Sequence, residues 1–284
     1  MIKTIKKVRA PVRIDFAGGT TDIKPFTDIY GGAVLNAAIN RYVYGTLIKT
    51  SKKTKLEYHA NIPTASGLGT SSAMNVVWLA LITQNKDKQK IAEAVFKIEQ
   101  ASKESSFNGK QDQYASVLGG INYLEFFKDK VKIYPIKLDK KFLEEFNNRL
   151  VLVYSGEEHY SGDSNKYAIE NFLKNKNTKN LLRLKSIAKE MRECLLKKDL
   201  QKFAYLMNEE TKERKKLSKI SLTKNTKKII EIGFKNEAIG AKICGSGNGG
   251  SVLFFSENKK RLIETFKKRV IDFKFDFEGL KWLN

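Results

Sequence analysis

Eleven residues, Pro63-Thr-Ala-Ser-Gly-Leu-Gly-Thr-Ser-Ser-Ala73, carry the strongest chemical signal in the chain. Gly67 and Gly69 allow a positive φ and a close approach of backbone to a ligand. Thr70, Ser71 and Ser72 stand at the mouth of an apolar stretch that starts at Ala73, where their hydroxyls suit helix capping. The first turn of a helix carries unpaired N–H groups and a partial positive charge. Together these features describe a cradle for a di- or triphosphate. The hydroxyls also suit Mg2+, a hard cation that takes oxygen ligands beside phosphate. The Gly-x4-Gly-Lys-Ser/Thr pattern of a Walker A loop is absent. The alternative is an N-capped helix after a glycine turn; the length of the stretch favours phosphate.

Two further glycine sites flank it. In Ala10-Pro-Val-Arg-Ile-Asp-Phe-Ala-Gly-Gly-Thr-Thr-Asp22, an extended segment delivers Arg13 and Asp15, and Gly18-Gly19 turn the chain toward Thr20 and Asp22. Arg13 is suited to charge on a transferred phosphoryl group, and Asp22 to accepting from substrate hydroxyls. A hairpin-like turn with surface charges reads equally well from these residues alone. In Gly240-Ala-Lys-Ile-Cys-Gly-Ser-Gly-Asn-Gly-Gly-Ser251, glycines between two apolar segments suit a turn where backbone meets ligand. A flexible connection in a small sheet is the alternative there.

The elements that must position these sites follow from patterning. Strand character marks 11–16, 41–48, 121–127, 131–136 and 149–155, and 73–84 reads as a helix buried around most of its circumference. A helix suits 88–103. Beyond about residue 160, four helical stretches (164–175, 179–197, 200–217, 223–236) precede strands at 241–245 and 251–255, a helix near 258–271 and a final short strand. A mixed first half followed by helices and a small sheet predicts an α+β chain of two lobes, 1–150 and 151–284.

Composition bounds the function. The chain of 284 residues is 41 % hydrophobic and 11 % aromatic, which excludes wholesale disorder. Cys194 and Cys244 exclude a disulfide framework, and with only His59 and His159 a histidine-rich metal site is excluded. No apolar run approaches the roughly 20 residues that span a bilayer, and no signal peptide opens the chain, so a cytoplasmic protein is expected. The net charge of +22 raises a polyanionic partner. Yet the cations are 44 Lys against 9 Arg, densest in 174–228 at helical spacing. Phosphate clamping and base readout favour Arg forks, so a solvated surface is preferred to nucleic-acid binding.

The order and spacing of the three glycine sites resemble the three motifs of the galactokinase–homoserine kinase–mevalonate kinase–phosphomevalonate kinase superfamily, the GHMP kinases. The similarity covers nearly the whole chain and is most specific at Pro-x3-Gly-Leu-Gly-x-Ser-Ser-Ala. Arg13–Asp22, Gly31-Gly-Ala-Val-Leu-Asn36, Gly109-Lys-Gln-Asp-Gln-Tyr-Ala-Ser116 and Asn208–Ser218 look like the D-glycero-D-manno-heptose 7-phosphate kinases, with fucokinases opening similarly. The resemblance implies a ribosomal protein S5-like first lobe, a ferredoxin-like second lobe, and ATP with Mg between them. The implied reaction is phosphorylation of a sugar or sugar phosphate, best matched by that heptose 7-phosphate at its anomeric hydroxyl.

Carried over by position, the resemblance makes Asp112 and Arg13 catalytic, with Asp112 as the base and Arg13 orienting it. Pro63, Ser66, Gly67, Leu68, Gly69, Thr70, Ser71, Ser72 and Ala73 become nucleotide-binding. Asp15, Gly18, Gly19, Thr20, Asp22, Lys110, Gly245, Ser246, Gly247 and Gly249 become substrate-binding. Ser71 or Ser72 with Glu99 would hold Mg, with Glu104 as a rival to Glu99. Asp112 as a helix N-cap, Glu99 as a solvated carboxylate and Lys110 as a surface ammonium are the structural alternatives. Trp78 reads as core in preference to nucleotide-stacking, and Cys244 as a small strand residue in preference to a nucleophile.

Three departures qualify the match. Gly19-Thr-Thr-Asp22 replaces the Glu-His-Thr-Asp of galactokinases. The stretch Tyr154–Asp163 lacks the Arg of a similar heptose-kinase loop, so Lys110, His159 or another lysine would hold a substrate phosphate, or the sugar is unphosphorylated. The chain is also short for a heptose kinase. The rivals are another GHMP kinase (fucose, a uronic acid, galactose or mevalonate), a non-catalytic sugar and ATP sensor, and an RNA-binding protein.

Overall fold

A computed structural model describes residues 4–101, 107–158, 161–218 and 221–283, with 161–163 as backbone only. The first half runs β1 (Thr4–Ala17), α1 (Phe26–Ile29), β2 (Gly32–Lys49), β3 (Thr54–Ala60), α2 (Thr70–Thr83), α3 (Lys88–Ala101), α4 (Gln111–Leu118), β4 (Ile121–Phe127), β5 (Lys130–Ile136) and α5 (Lys140–Arg149). The second runs β6 (Leu150–Tyr154), α6 (Ser161–Leu173), α7 (Thr178–Lys197), α8 (Leu200–Leu217), α9 (Lys224–Lys235), β7 (Ala238–Ile243), β8 (Ser251–Ser256), α10 (Lys259–Phe266), β9 (Val270–Ile271) and β10 (Lys281–Leu283). No helix among the described residues is long and apolar enough to cross a membrane.

Two antiparallel sheets organise these elements. The first has the order β10-β1-β2-β4-β5, with β3 also paired to β2. The second has the order β7-β8-β6-β9. Numbered along the chain, its strands lie 2-3-1-4, which is the ferredoxin-like arrangement, with α6 to α9 inserted after its first strand. The fold is therefore the expected α+β architecture of two lobes.

Residues Ala10 to Ala17 are buried without alternation, so both faces of the first sheet are covered at β1. Helices α2 and α4 pack on β1 and β2, and so does α7 from the second half. Aromatic rings tie the lobes. Phe16 of β1 stands 5.6 Å from Phe146 of α5 and 5.4 Å from Phe203 of α8, ring centre to ring centre.

Two expectations need correction. The second lobe does not run unbroken to the C-terminus, because β10 returns to the first sheet and pairs with β1, Val8 opposite Trp282. Helix α2 is not buried all round. Val76, Val77, Ala80 and Leu81 are buried, but the row Met74, Trp78 and Ile82 is 42 %, 36 % and 50 % exposed. One side of the helix covers the sheet, and residues four apart share the other.

Candidate active site

Arg13 is the hinge of the site. Strand β1 carries it into the interior, where it is 4 % exposed. Its Nε donates to Asp112 Oδ1 at 2.7 Å and its Nη2 to Asp112 Oδ2 at 2.9 Å. Its Nη1 donates to the Gly67 carbonyl at 2.7 Å, and its backbone N–H to the Leu68 carbonyl at 2.9 Å. One guanidinium thus locks the loop before α2 to the first turn of α4 through a bidentate pair. Burial pulls the Arg13 pKa down, but Asp112 and Asp15 more than offset it and hold the group charged. Asp112 does not cap its helix, because the N-cap of α4 is Lys110.

Helix α2 begins at Thr70, three residues before the apolar stretch, because Gly69 takes φ +73° and serves as its N-cap. A Cβ on Gly69 would stand 3.1 Å from Asp112 Oδ2, so the helix start and the carboxylate meet only at glycine. The expected capping by hydroxyls is absent: no side chain caps α2. Ser66 Oγ and Thr70 Oγ1 are buried without a hydrogen-bond partner. The first turn therefore keeps free N–H groups beside two unspent hydroxyls, the equipment of an anion site.

Ser72 Oγ donates to Glu99 Oε2 at 3.3 Å, and Asn75 Nδ2 to Glu99 Oε1 at 2.8 Å. Gln113 Nε2 also donates to Glu99 Oε2. Burial raises the Glu99 pKa against these bonds. Ser71 is exposed and lines the cavity. Among the described residues no three acidic, His or Cys side chains cluster as a metal site. One carboxylate and a hydroxyl still fit Mg2+, which takes most of its remaining ligands from water and phosphate. Glu104 lies outside the described residues.

These groups line one cavity of about 530 Å³. The cradle contributes Ser66, Gly67, Gly69 and Thr70 to Ser72, and motif three contributes Gly245 and Ser246. The other lining includes Gly19, Thr20, Asp22, Gln111, Asn165 and Arg214. Asp22 Oδ2 accepts from the Gln111 backbone N–H at 3.1 Å. A Cβ on Gly109 would come within 1.9 Å of that oxygen, so glycine is required there too. Burial, reinforced by the Asp112 charge, pushes the Asp22 pKa up to about 6.

The structure places other expected residues outside the cavity. Asp15 is fully buried and spent inside the protein: Oδ2 accepts from Lys242 Nζ at 2.8 Å, and Oδ1 from the Gly245 N–H at 2.8 Å. Burial raises its pKa, but Lys242 and Arg13 outweigh this and lower it. Asp15 therefore joins motif one to motif three. Lys110 is likewise committed. Its Nζ donates to both Glu93 oxygens, at 3.0 and 2.8 Å, and to the Asp129 carbonyl at 3.2 Å, which uses all three of its N–H groups. It faces an adjoining cavity of about 230 Å³, which shares Asp22 and Asn108 with the first. Gly18, Gly247 and Gly249 pack on the carbonyls of Ala33, Ser221 and Glu158. Leu68 and Ala73 are core, and Pro63 is exposed. Cys244 is buried, and that burial pushes its thiol up to about 12, away from the thiolate a nucleophile needs. His159 lies outside the described residues.

Arg214, Asn165 and Lys242 escaped the sequence reading. Arg214 Nε and Nη2 donate to Glu210 Oε1 at 3.0 and 2.5 Å, and Nη2 also reaches the Gly19 carbonyl at 3.2 Å. Thr20 Oγ1 donates to Asn165 Oδ1 at 3.0 Å. The i, i+4 spacing of Glu210 and Arg214, and a lysine inside the apolar run Ala241-Lys-Ile-Cys244, were the available signals.

Comparison with known proteins identifies the family. The GHMP kinases N terminal domain matches residues 34–120, and the GHMP kinases C terminal domain residues 191–271. The D-glycero-alpha-D-manno-heptose 7-phosphate kinase of Campylobacter jejuni is 27 % identical, over 99 % of each chain. The bifunctional fucokinase/GDP-fucose pyrophosphorylase of Arabidopsis thaliana is 24 % identical over 97 % of this chain and 32 % of that one. The crystal structure of a D-glycero-D-manno-heptose 1-phosphate kinase from Bacteroides thetaiotaomicron superposes with a TM-score of 0.79, at 24 % identity and 99 % coverage of both chains. With both halves matched and the relatives named as kinases, the chain belongs to the GHMP kinases and is a phosphotransferase acting on an alcohol oxygen.

Proposed function

We propose that the protein phosphorylates a sugar phosphate with ATP and Mg2+, and that its substrate is D-glycero-D-manno-heptose 7-phosphate, taken at the anomeric hydroxyl. The observation that carries this is the Arg13–Asp112 pair, held at 2.7 and 2.9 Å beside the uncapped start of α2 in one cavity. The whole-length similarity to a heptose 7-phosphate kinase supports the sugar.

The residues divide the work by position. The N–H groups of the first turn of α2, with Ser66 and Thr70, suit the ATP phosphates. Ser72 and Glu99 suit Mg2+, which when bound neutralises charge on the transferred phosphates. Asp22 and the Gly19-Thr20 turn face the sugar. Asp112 takes the proton of the attacking hydroxyl as its oxygen bonds to the γ-phosphorus and ADP departs. Each Asp112 oxygen accepts one Arg13 N–H and keeps a second lone pair for the hydroxyl. Catalysis is then positioning and electrostatics on rigid elements. Dependence on ATP supports a cytoplasmic site of action.

The test is ADP release with Mg·ATP across heptose 7-phosphate, fucose, galactose, glucuronate and mevalonate. Turnover is expected on the heptose phosphate. Turnover on another member moves the substrate. Nucleotide binding with no turnover on any member refutes the proposed substrate and leaves another sugar or a sensor role.

A further inference from the structure

Resting on the sugar-kinase reading above, we infer that Arg214 and Asn165, both from the second lobe, read the substrate, and that the group they hold is a sugar hydroxyl and not a phosphate. Both line the cavity, at 2 % and 8 % exposure. Both have donors unspent. Of the five N–H groups of Arg214, two face Glu210, one faces Gly19 and one reaches Thr20 Oγ1 at a longer 3.4 Å. The second Nη1 N–H has no partner among the described residues. Neither has the Asn165 amide nitrogen, whose oxygen accepts from Thr20.

The direction of these bonds is fixed. The single Thr20 hydroxyl hydrogen goes to Asn165 Oδ1, so Thr20 Oγ1 must accept from Arg214. Glu210, Arg214, Thr20 and Asn165 form one chain across the lobes that offers donors to the cavity. Acceptors line the same cavity: the Asp22 carboxylate, and Gln111, whose Oε1 is buried without a partner.

An alcohol donates and accepts, and so satisfies both sets. A phosphate ester dianion only accepts. It would leave Gln111 Oε1 unsatisfied and bring its charge toward Asp22, Asp112 and Glu210. The positive charge of Arg214 is already matched by Glu210, a pair at 2 % and 0 % side-chain exposure. Any phosphate on the substrate must therefore lie away from this end of the cavity.

The test compares wild type with Arg214→Lys, which keeps a charge for Glu210 but lacks the fork, and with Asn165→Ala, which leaves the charges intact. KM is measured for ATP and for heptose 7-phosphate, with unphosphorylated heptose as alternative substrate or competitor. The expected result is a sugar KM raised about ten- to a hundredfold in Arg214→Lys and about three- to tenfold in Asn165→Ala. The ATP KM stays unchanged, and so does the preference for phosphorylated over unphosphorylated heptose. Collapse of that preference in Arg214→Lys would make Arg214 the phosphate anchor and overturn the inference. So would a KM for sugar that stays put, or one that moves together with that for ATP. If Arg214→Lys fails to fold, Asn165→Ala decides by the same criteria. If wild type phosphorylates no sugar, the proposed function itself falls, and the inference with it.

Discussion

Asp22→Asn should make the protein more stable at pH 8 and a poorer enzyme. Asp22 sits at 5 % exposure and accepts from the Gln111 backbone N–H at 3.1 Å. Burial moves its pKa from the ordinary 3.8 to about 6. At 1.36 kcal/mol per pH unit, ionising it in the folded protein costs about 3 kcal/mol. Between pH 4 and 6 the folded state holds a proton that the unfolded state has lost. The stability Asp22 contributes is therefore present below about pH 4 and disappears as pH rises through about 6. Asparagine keeps the carbonyl that accepts from Gln111 and never ionises. The gap between variant and wild type should be near zero at pH 4 and about 3 kcal/mol in favour of the variant at pH 8. Urea unfolding followed by the fluorescence of Trp78 and Trp282, both in elements of the first sheet's lobe, measures it. In parallel the sugar KM should rise about tenfold or more in the variant, for loss of a charged acceptor. A gap that is the same at pH 4 and pH 8, or a variant less stable at both, would refute the reasoning.

Three further outcomes are expected. Lys242→Met strands the Asp15 and Glu210 carboxylates in the interior and should cost about 3–5 kcal/mol in urea unfolding; a loss below about 1 kcal/mol would remove the buried charges from the seam between lobes. Lys110→Met should leave the sugar KM within about twofold of wild type, because Glu93 and Asp129 already use its ammonium; a tenfold rise would return Lys110 to the substrate. Glu99→Gln should raise the Mg2+ concentration for half-maximal rate by about tenfold or more, and an unchanged Mg2+ dependence would take Glu99 out of the metal site.

What the sequence made legible follows the range of the forces involved. The glycines and hydroxyls of 63–73 announce their purpose locally, because backbone freedom and helix-end chemistry need only near neighbours. The existence of α2 was plain from its apolar run. Its start was not, because the left-handed turn at Gly69 draws Thr70 to Ser72 into the first turn in place of capping it. The resemblance places Asp15 in the substrate site with the rest of motif one. Only the fold brings Lys242 against it, from 227 residues further on. Arg214 and Asn165 were invisible as site residues for the same reason: their role depends on α8 and α6 meeting the Gly19-Thr20 turn. Trp78 reads as core among apolar neighbours, yet nothing in a one-dimensional pattern says which row of so apolar a stretch meets the sheet.

Asp112→Asn tests the central claim most directly. With Mg·ATP and heptose 7-phosphate, the kcat should fall about 10²- to 10⁴-fold, the usual contribution of a general base, while ADP affinity by calorimetry stays at the wild-type value. A variant with wild-type kcat would contradict the assignment of Asp112 as the base, and with it the mechanism built on the Arg13 pair.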